Sequence, residues 1–333
     1  MLYKMKNFNL IKYLFIGVIG SIVILSCERN SSFEGQLPSI TKTVVLNSDF
    51  SILETAAIKG GVALLLTNAN ANDASGKFTV FAPTNQAFEK LALNSDNLSV
   101  LDQTFLENTL KYAVSNGNLA SGGFNVAANS ASAFAGVTRK FITKDGQKYI
   151  NGSKIIATDI AASNGTIHAI DKVLLATNGN IVESAIAVQS GKVFVKPELT
   201  YLVAAVLWAD PSILTALTTS PSLTVFAPTD QAFINLGKAQ GKTFTKPDDI
   251  KMLDKALVTA VLLNNVIGGG KFTPELTSGA NASVGGGTLT LGVFQNGVMT
   301  VKGNGNATPA NMVIPDIQAK NGVIHIIDTV LLP

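Results

Sequence analysis

Apolar and polar positions along this chain fall into two successive blocks of the same design. In the first block, apolar residues recur at three- and four-residue steps from Phe50 to Leu66, which predicts a helix. The β-prone run Thr79-Val80-Phe81 then reads as a buried strand, and Pro83, which has no N–H, ends its ladder. Thr84-Asn85 supplies helix N-cap side chains, and Phe88 follows in the first turn, where its ring can pack back on the strand. Leu101 to Val114 predicts an amphipathic helix. Farther on, Asn164-Gly165 marks a turn able to take positive φ, and the apolar run after it predicts a strand buried on both faces.

The second block repeats that order. Tyr201 to Leu207 and Ile213 to Leu217 read as helices, with Asp210-Pro211 as a break and new N-terminus. Thr224 to Phe233 repeats Thr79 to Phe88 with one change, Asp230 for Asn85. Ile250 to Val261 predicts a helix, and Gly268-Gly269-Gly270 and Gly285-Gly286-Gly287 mark turns between short strands. Asn321 to Leu332 then repeats the pattern of Asn164 to Leu175. A repeat of this length is too long for a solenoid and matches the commonest domain size. Helices early and strands late in each half predict an α+β fold, twice in tandem.

The first residues obey a different pattern. Lys4, Lys6 and Lys12 precede an apolar run from Ile16 to Leu25, which ends at Ser26-Cys27. This is the layout of a secretory signal, and the run is short for a spanning helix, which needs about 20 residues. Ile24-Leu25-Ser26-Cys27 also resembles the bacterial lipobox, in which the cysteine is lipidated and becomes the first mature residue. Cys27 is the only cysteine of the chain, so no internal disulfide exists, and lipid attachment accounts for an otherwise odd thiol. The expected organisation is a signal peptide over 1–26, a flexible tether over 27–40, and domains over 41–177 and 178–333. Membrane lipid at Cys27 is the expected partner, and Glu28, where inner-membrane retention would favour Asp, points to the outer membrane or cell surface.

Charge changes the picture once the signal is set aside. The chain has 25 basic and 22 acidic residues, and residues 1–26 hold three lysines and no acid, so the remainder carries equal numbers. No basic footprint for nucleic acid is left. Nearly half of the residues are apolar, enough to build two cores.

The two repeated motifs, in order and twice over, resemble the signature boxes of the fasciclin family across residues 40–333. The resemblance implies a β-sheet wedge packed with helices, and an extracellular role in adhesion or matrix association without catalysis. Family members often carry a Tyr-His pair between the boxes, where this chain has Tyr112-Ala113 and Asn264-Asn265. Asp159-Ile160 and Asp316-Ile317 resemble the Asp-Ile element through which some animal members engage integrins, and they are the candidate partner-binding residues.

The remaining chemistry is sparse. His168 and His325 are the only histidines and occupy equivalent positions. No cluster with ligand spacing stands near either, so both are expected to be structural, hydrogen-bonded and half-buried, with no metal and no cofactor. Asp171 and Asp328 are expected to bind backbone N–H groups at their strand ends, because alternation puts residues three apart on opposite faces. The Gly runs lack the Lys-Ser/Thr of a phosphate loop, and Trp208 lies in a helical stripe that reads as core. Neither paired carboxylates nor a nucleophile with its base can be assembled, which argues against an enzyme. The reading is a membrane-anchored adhesion or matrix-binding module with a protein or polysaccharide ligand. The alternative is a glycan-capture lipoprotein serving nutrient uptake.

Overall fold

A computed structural model describes residues 36–125, 129–132, 137–190, 194 and 199–333. Cys27, the signal and most of the tether lie outside them.

The first domain opens with α1 (Ile40–Leu46) and α2 (Ser51–Lys59), followed by β1 (Phe78–Pro83) and α3 (Asn85–Glu89). Next come α4 (Gln103–Tyr112), β2 (Val114–Asn116) and β3 (Asn129–Ser130). The strands β4 (Arg139–Lys144), β5 (Gln147–Ile150), β6 (Ser153–Ala162) and β7 (Gly165–Ile170) complete it. The sheet order is β2-β1-β7-β6-β5-β4-β3. The two sequence motifs therefore meet at the centre of the sheet. They pair in parallel, with Phe81 opposite His168.

Strand alternation sorts these central residues between two cores. Val80, Ala82, Ile167 and Ala169 face the helices, where Phe88, Leu106 and Leu110 cover them. Phe81 and Ile170 face the other way, against Phe124, Phe141 and Ile150. With both faces covered, β1 and β7 are buried at every position, as their near-continuous apolar runs predict.

The second domain follows the same plan. Its helices are α5 (Ile181–Ser190), α6 (Thr200–Trp208), α7 (Pro211–Thr219), α8 (Asp230–Ala239) and α9 (Lys255–Asn264). In chain order, β8 (Leu175–Ala176) precedes these helices, and β9 (Leu223–Pro228) lies between α7 and α8. After α9 come β10 (Val266–Gly268), β11 (Gly279–Ala282), β12 (Thr288–Leu291), β13 (Thr300–Gly303), β14 (Ala310–Ala319) and β15 (Gly322–Ile327). The order β10-β9-β15-β14-β13-β12-β11 mirrors the first sheet, and Phe226 lies opposite His325.

Several local expectations change. The helix predicted from Phe50 to Leu66 stops at Lys59, because Gly60 caps it and Gly61 turns away at φ 72°. The helix predicted from Ile250 divides into a 3-10 turn, Pro247–Met252, and α9, whose N-cap Asp254 accepts from Ala256 and Leu257 N–H groups. The packed first domain also begins before residue 41. Ile40 is fully buried, and Ser39 caps α1.

Asn85 and Asp230 were expected to cap their own helices. They cap others across space. Asn85 Oδ1 accepts from Ile52 N–H of α2, and Asp230 Oδ1 accepts from Tyr201 N–H of α6. Adjacent residues face different cores at the junction, since Leu174 and Ala176 pack in the first domain and Leu175 between them in the second. β8 then adds in parallel to β14, with Ile317 opposite Leu175, so the junction is stitched by a strand.

Candidate functional site

Each domain builds the same polar module from three distant segments. In the first, β6 carries register shifts between Ile155 and Ile160, and Asp159 sits there in the left-handed region at φ 59°. That irregularity turns the Asp159 N–H off the ladder and onto His168 Nδ1, at 3.1 Å. The other ring nitrogen, Nε2, lies 2.8 Å from the Leu119 carbonyl. The Asp159 carboxylate accepts from Ser121 N–H at 2.8 Å and from the Ser121 hydroxyl.

The second domain repeats this contact by contact. Asp316, at φ 68°, donates its N–H to His325 Nδ1 at 3.1 Å. His325 Nε2 lies 3.0 Å from the Lys271 carbonyl. Thr273 donates its N–H and hydroxyl to Asp316 at 2.7 and 2.8 Å.

These contacts assign the histidine tautomers. A nitrogen that accepts an N–H must carry the lone pair, and one that faces a carbonyl must carry the proton. Both rings are therefore neutral, and the 3.9 Å approach of His325 Nδ1 to Asp316 is no ion pair. Burial, complete rather than the half expected, pushes both histidines below the ordinary imidazole range. Phe81 and Phe226 stack on the rings at 5.3 and 5.7 Å.

A pH dependence follows from this. An unfolded histidine takes up its proton near pH 6.5, and the buried rings do so only at lower pH. Stability is then complete above about pH 6.5 and falls as the pH drops below it, because the unfolded chain binds more protons. Urea midpoints should decrease from about pH 7 to about pH 5.5, with a flatter slope in a His168→Gln/His325→Gln chain. An unchanged wild-type midpoint would contradict neutral rings.

The modules differ in what covers the carboxylate. Asp159 is exposed, and its hydrogen bonds from Ser121 hold it below the usual carboxylate range. Asp316 is buried beneath the first domain. Lys172, just past β7, reaches across to Asp316 Oδ2 at 2.6 Å and Thr273 Oγ1 at 3.2 Å, and also donates to the Gly297 carbonyl. Burial, the largest single influence, would raise Asp316, and the Lys172 ammonium leads the opposing contacts, the Thr273 N–H among them, that together leave the carboxyl below its ordinary value. Gly152 presses so close that a Cβ there would lie 1.9 Å from Asp316 Oδ2.

The rest of the domain contact surrounds this pair. Lys140 bonds Glu275 at 2.7 Å, and Asn151 donates to Tyr112 Oη at 2.8 Å and to Gln318 Oε1 at 3.1 Å. Tyr112, of the Tyr112-Ala113 pair, thus contacts the second domain through Gln318.

The Fasciclin domain profile matches residues 48–176 and 197–333. The chain belongs to the fasciclin family.

This fasciclin chain is 32% identical over 145 residues to the Synechocystis protein sll1483, covering 41% of this chain and 79% of that protein. It is 26% identical over 284 residues to human periostin, covering 78% of this chain and 29% of periostin. It is 34% identical over 139 residues to pig transforming growth factor-beta-induced protein ig-h3, covering 41% of this chain and 19% of that protein. The chain therefore spans well under half the length of the two animal proteins. A solved domain pair of the insect cell adhesion molecule Fasciclin I aligns with 88% of this chain and 96% of its own, at 15% identity and a TM-score of 0.36.

The predicted site residues of this fasciclin pair separate by environment. Exposure to solvent exists at Asp159, with Ile160 half-buried beside it. It is absent at Asp316 and Ile317, which are 7% and 3% exposed. Asp171 accepts from Lys154 N–H at 2.7 Å and pairs with Lys90, while Asp328 accepts from Asn311 N–H at 2.8 Å. Among the described residues no group of His, Cys, Asp or Glu is placed to hold a metal ion.

Two features escaped the sequence reading. Arg139 is fully buried between Phe81 and Tyr112, donates to the Tyr112 and Ala131 carbonyls, and is pushed down to about 10 by burial. Asn164 is more than a turn former. Its Oδ1 accepts from Ile40 N–H at 2.9 Å, and its Nδ2 donates to the Leu66 and Asn68 carbonyls at 2.8 Å each. Asn321 does the same for Ile181, Leu217 and Ser220. Their duplication in the sequence was the available signal.

Proposed function

We propose that this chain is a lipid-anchored envelope protein whose two domains form one non-catalytic binding body for adhesion or matrix association. The observation that carries the reading is the fate of the polar residues. The histidines and motif aspartates are committed to holding backbone or joining the domains, and both ring nitrogens of each histidine are engaged by backbone groups, so neither ring is free to activate the Ser121 or Thr273 hydroxyl. Among the described residues no single helix is long and apolar enough to cross a membrane. The bent pair α6 and α7 passes by length and composition together, and both contribute to the second domain's core. Anchoring is assigned to Cys27 on the pattern of the basic start, apolar run and Ser26-Cys27. Asp159 and Ile160 are the partner-facing residues on this reading.

The test is binding of residues 28–333 to envelope proteins, polysaccharides and whole cells, with Asp159→Ala as the variant that weakens it. Absence of binding, with unchanged attachment of a deletion strain, would overturn the reading. For the anchor, Cys27→Ser is expected to leave both domains folded and to move the protein from the membrane fraction to the soluble one. The cysteine precedes both repeats, which carry the two cores. A Cys27→Ser protein retained in the membrane, at the wild-type mature size, would contradict lipidation.

A further inference from the structure

Fourteen large apolar residues are exposed among those described, and five of them, Val45, Leu46, Ile58, Leu64 and Leu65, fall within residues 45–65. Singly exposed leucines need no explanation, but a concentration of them does. Leu64 is 78% exposed and Leu46 70%. The start of α1 is tied to the segment that carries Leu64 and Leu65, because Thr41 donates its hydroxyl to the Ala63 carbonyl, and Asn164 ties Ile40 to the Leu66 and Asn68 carbonyls.

The second domain supplies an internal control. Asn321 holds Ile181 and the Leu217 carbonyl as Asn164 holds Ile40 and the Leu66 carbonyl, which fixes the equivalent positions. Where the first domain has Leu64 and Leu65, the second has Thr215 and Ala216. Where it has Lys42 and Leu46 on one face of α1, the second has Glu183 and Ala187 on α5. The fold does not require leucine at these places. These four differences run from polar, small or acidic in the second domain to apolar or basic in the first, whereas Val45 and Ile58 correspond to Ile186 and Leu207, exposed apolar residues of the second domain, and so form no part of the distinguishing patch.

The first domain is also the one the tether enters. Ten residues, 28–37, separate Cys27 from Pro38, a link that cannot stretch past roughly 40 Å. A surface held that near a bilayer meets it at high effective concentration, so contacts too weak to recruit the free protein still form. We propose that Leu64 and Leu65, with Leu46 and Lys42, seat the first domain on the phospholipid surface in which Cys27 is anchored. This rests on the lipid-anchor reading. Residues 40–72 carry two bases and two acids, so apolar insertion rather than net charge holds the contact, and added salt should change it little.

The test installs the tether chemically. The thiol of Cys27 in the 27–333 chain is coupled to a maleimide phospholipid in phosphatidylethanolamine–phosphatidylglycerol vesicles. Trp208→Phe removes the only native tryptophan. Leu65→Trp then reports insertion, and Ala216→Trp reports the equivalent site of the second domain. The expected result is a blue shift of the Leu65→Trp emission and its loss in vesicles with brominated acyl chains, with neither at Ala216→Trp. Amide exchange over residues 40–68 should slow on the vesicles. It should return to the free-protein rate in a Lys42→Glu/Leu46→Ala/Leu64→Thr/Leu65→Ala chain with Trp208 intact. Equal emission in brominated and plain vesicles, or equal quenching at both sites, overturns the proposal. Because the link is made in vitro, that outcome leaves lipidation in the cell to the separate Cys27→Ser fractionation.

Discussion

Replacing Lys172 with alanine is expected to cost the domain pair about 3–5 kcal/mol, the usual penalty for stranding one member of a buried ion pair. Asp316 would keep its two bonds from Thr273 but lose its cation under the first domain, at 7% exposure. An exposed pair such as Lys251 with Asp248 contributes little to stability, so a small loss at Lys172 would contradict the burial described for it. Asp316→Asn tolerates the left-handed backbone and keeps an acceptor for Thr273, while leaving the ammonium unpaired. The Lys172→Ala/Asp316→Asn double variant is expected to cost less than the sum of the single changes, since neither charge is then stranded. Urea unfolding of residues 28–333 measures all four proteins. With the junction weakened, one transition should separate into two.

Alanine at Gly165 or Gly322 is expected to be about as damaging, roughly 3 kcal/mol at the upper end of overpacking costs. A Cβ would lie 2.0 Å from the Phe78 carbonyl oxygen at Gly165 and 2.1 Å from that of Leu223 at Gly322. The obstructing atoms belong to the central parallel pairing, Phe78 with Gly165 and Leu223 with Gly322, so they cannot retreat without opening it. Gly286 provides the contrast. It has φ 81° and open space around its Cα, so alanine there meets only backbone strain of about 1–2 kcal/mol. Equal urea midpoints for Gly322→Ala and Gly286→Ala would show that close approach is not what these motif glycines provide.

The glycines show a cause that the sequence could not supply. Asn-Gly suggested a turn with positive φ, and Gly165 takes one, at 156°, as it opens a strand, whereas Gly322 opens its strand without one. A dipeptide signal reports local preferences, whereas the contact that excludes a side chain here comes from a strand more than eighty residues earlier. Asn85 and Asp230 show the same limit, as cap residues whose caps are made to helices elsewhere in the chain.

The tandem α+β architecture, the central buried strands and the equivalence of His168 with His325 were legible from the residues alone. Each rests on patterning that repeats, and repetition survives without knowledge of contacts. The fate of the two Asp-Ile elements was not legible. In sequence Asp159 and Asp316 are the same motif, with the same bulged backbone and the same histidine behind it. What separates them is Lys172, 144 residues from Asp316 in the chain and 2.6 Å away in the fold. Local pattern determined that both carboxylates exist and how the backbone holds them. Only tertiary structure decided that one is buried beneath a neighbouring domain while the other faces solvent, because burial depends on which surface the next domain covers.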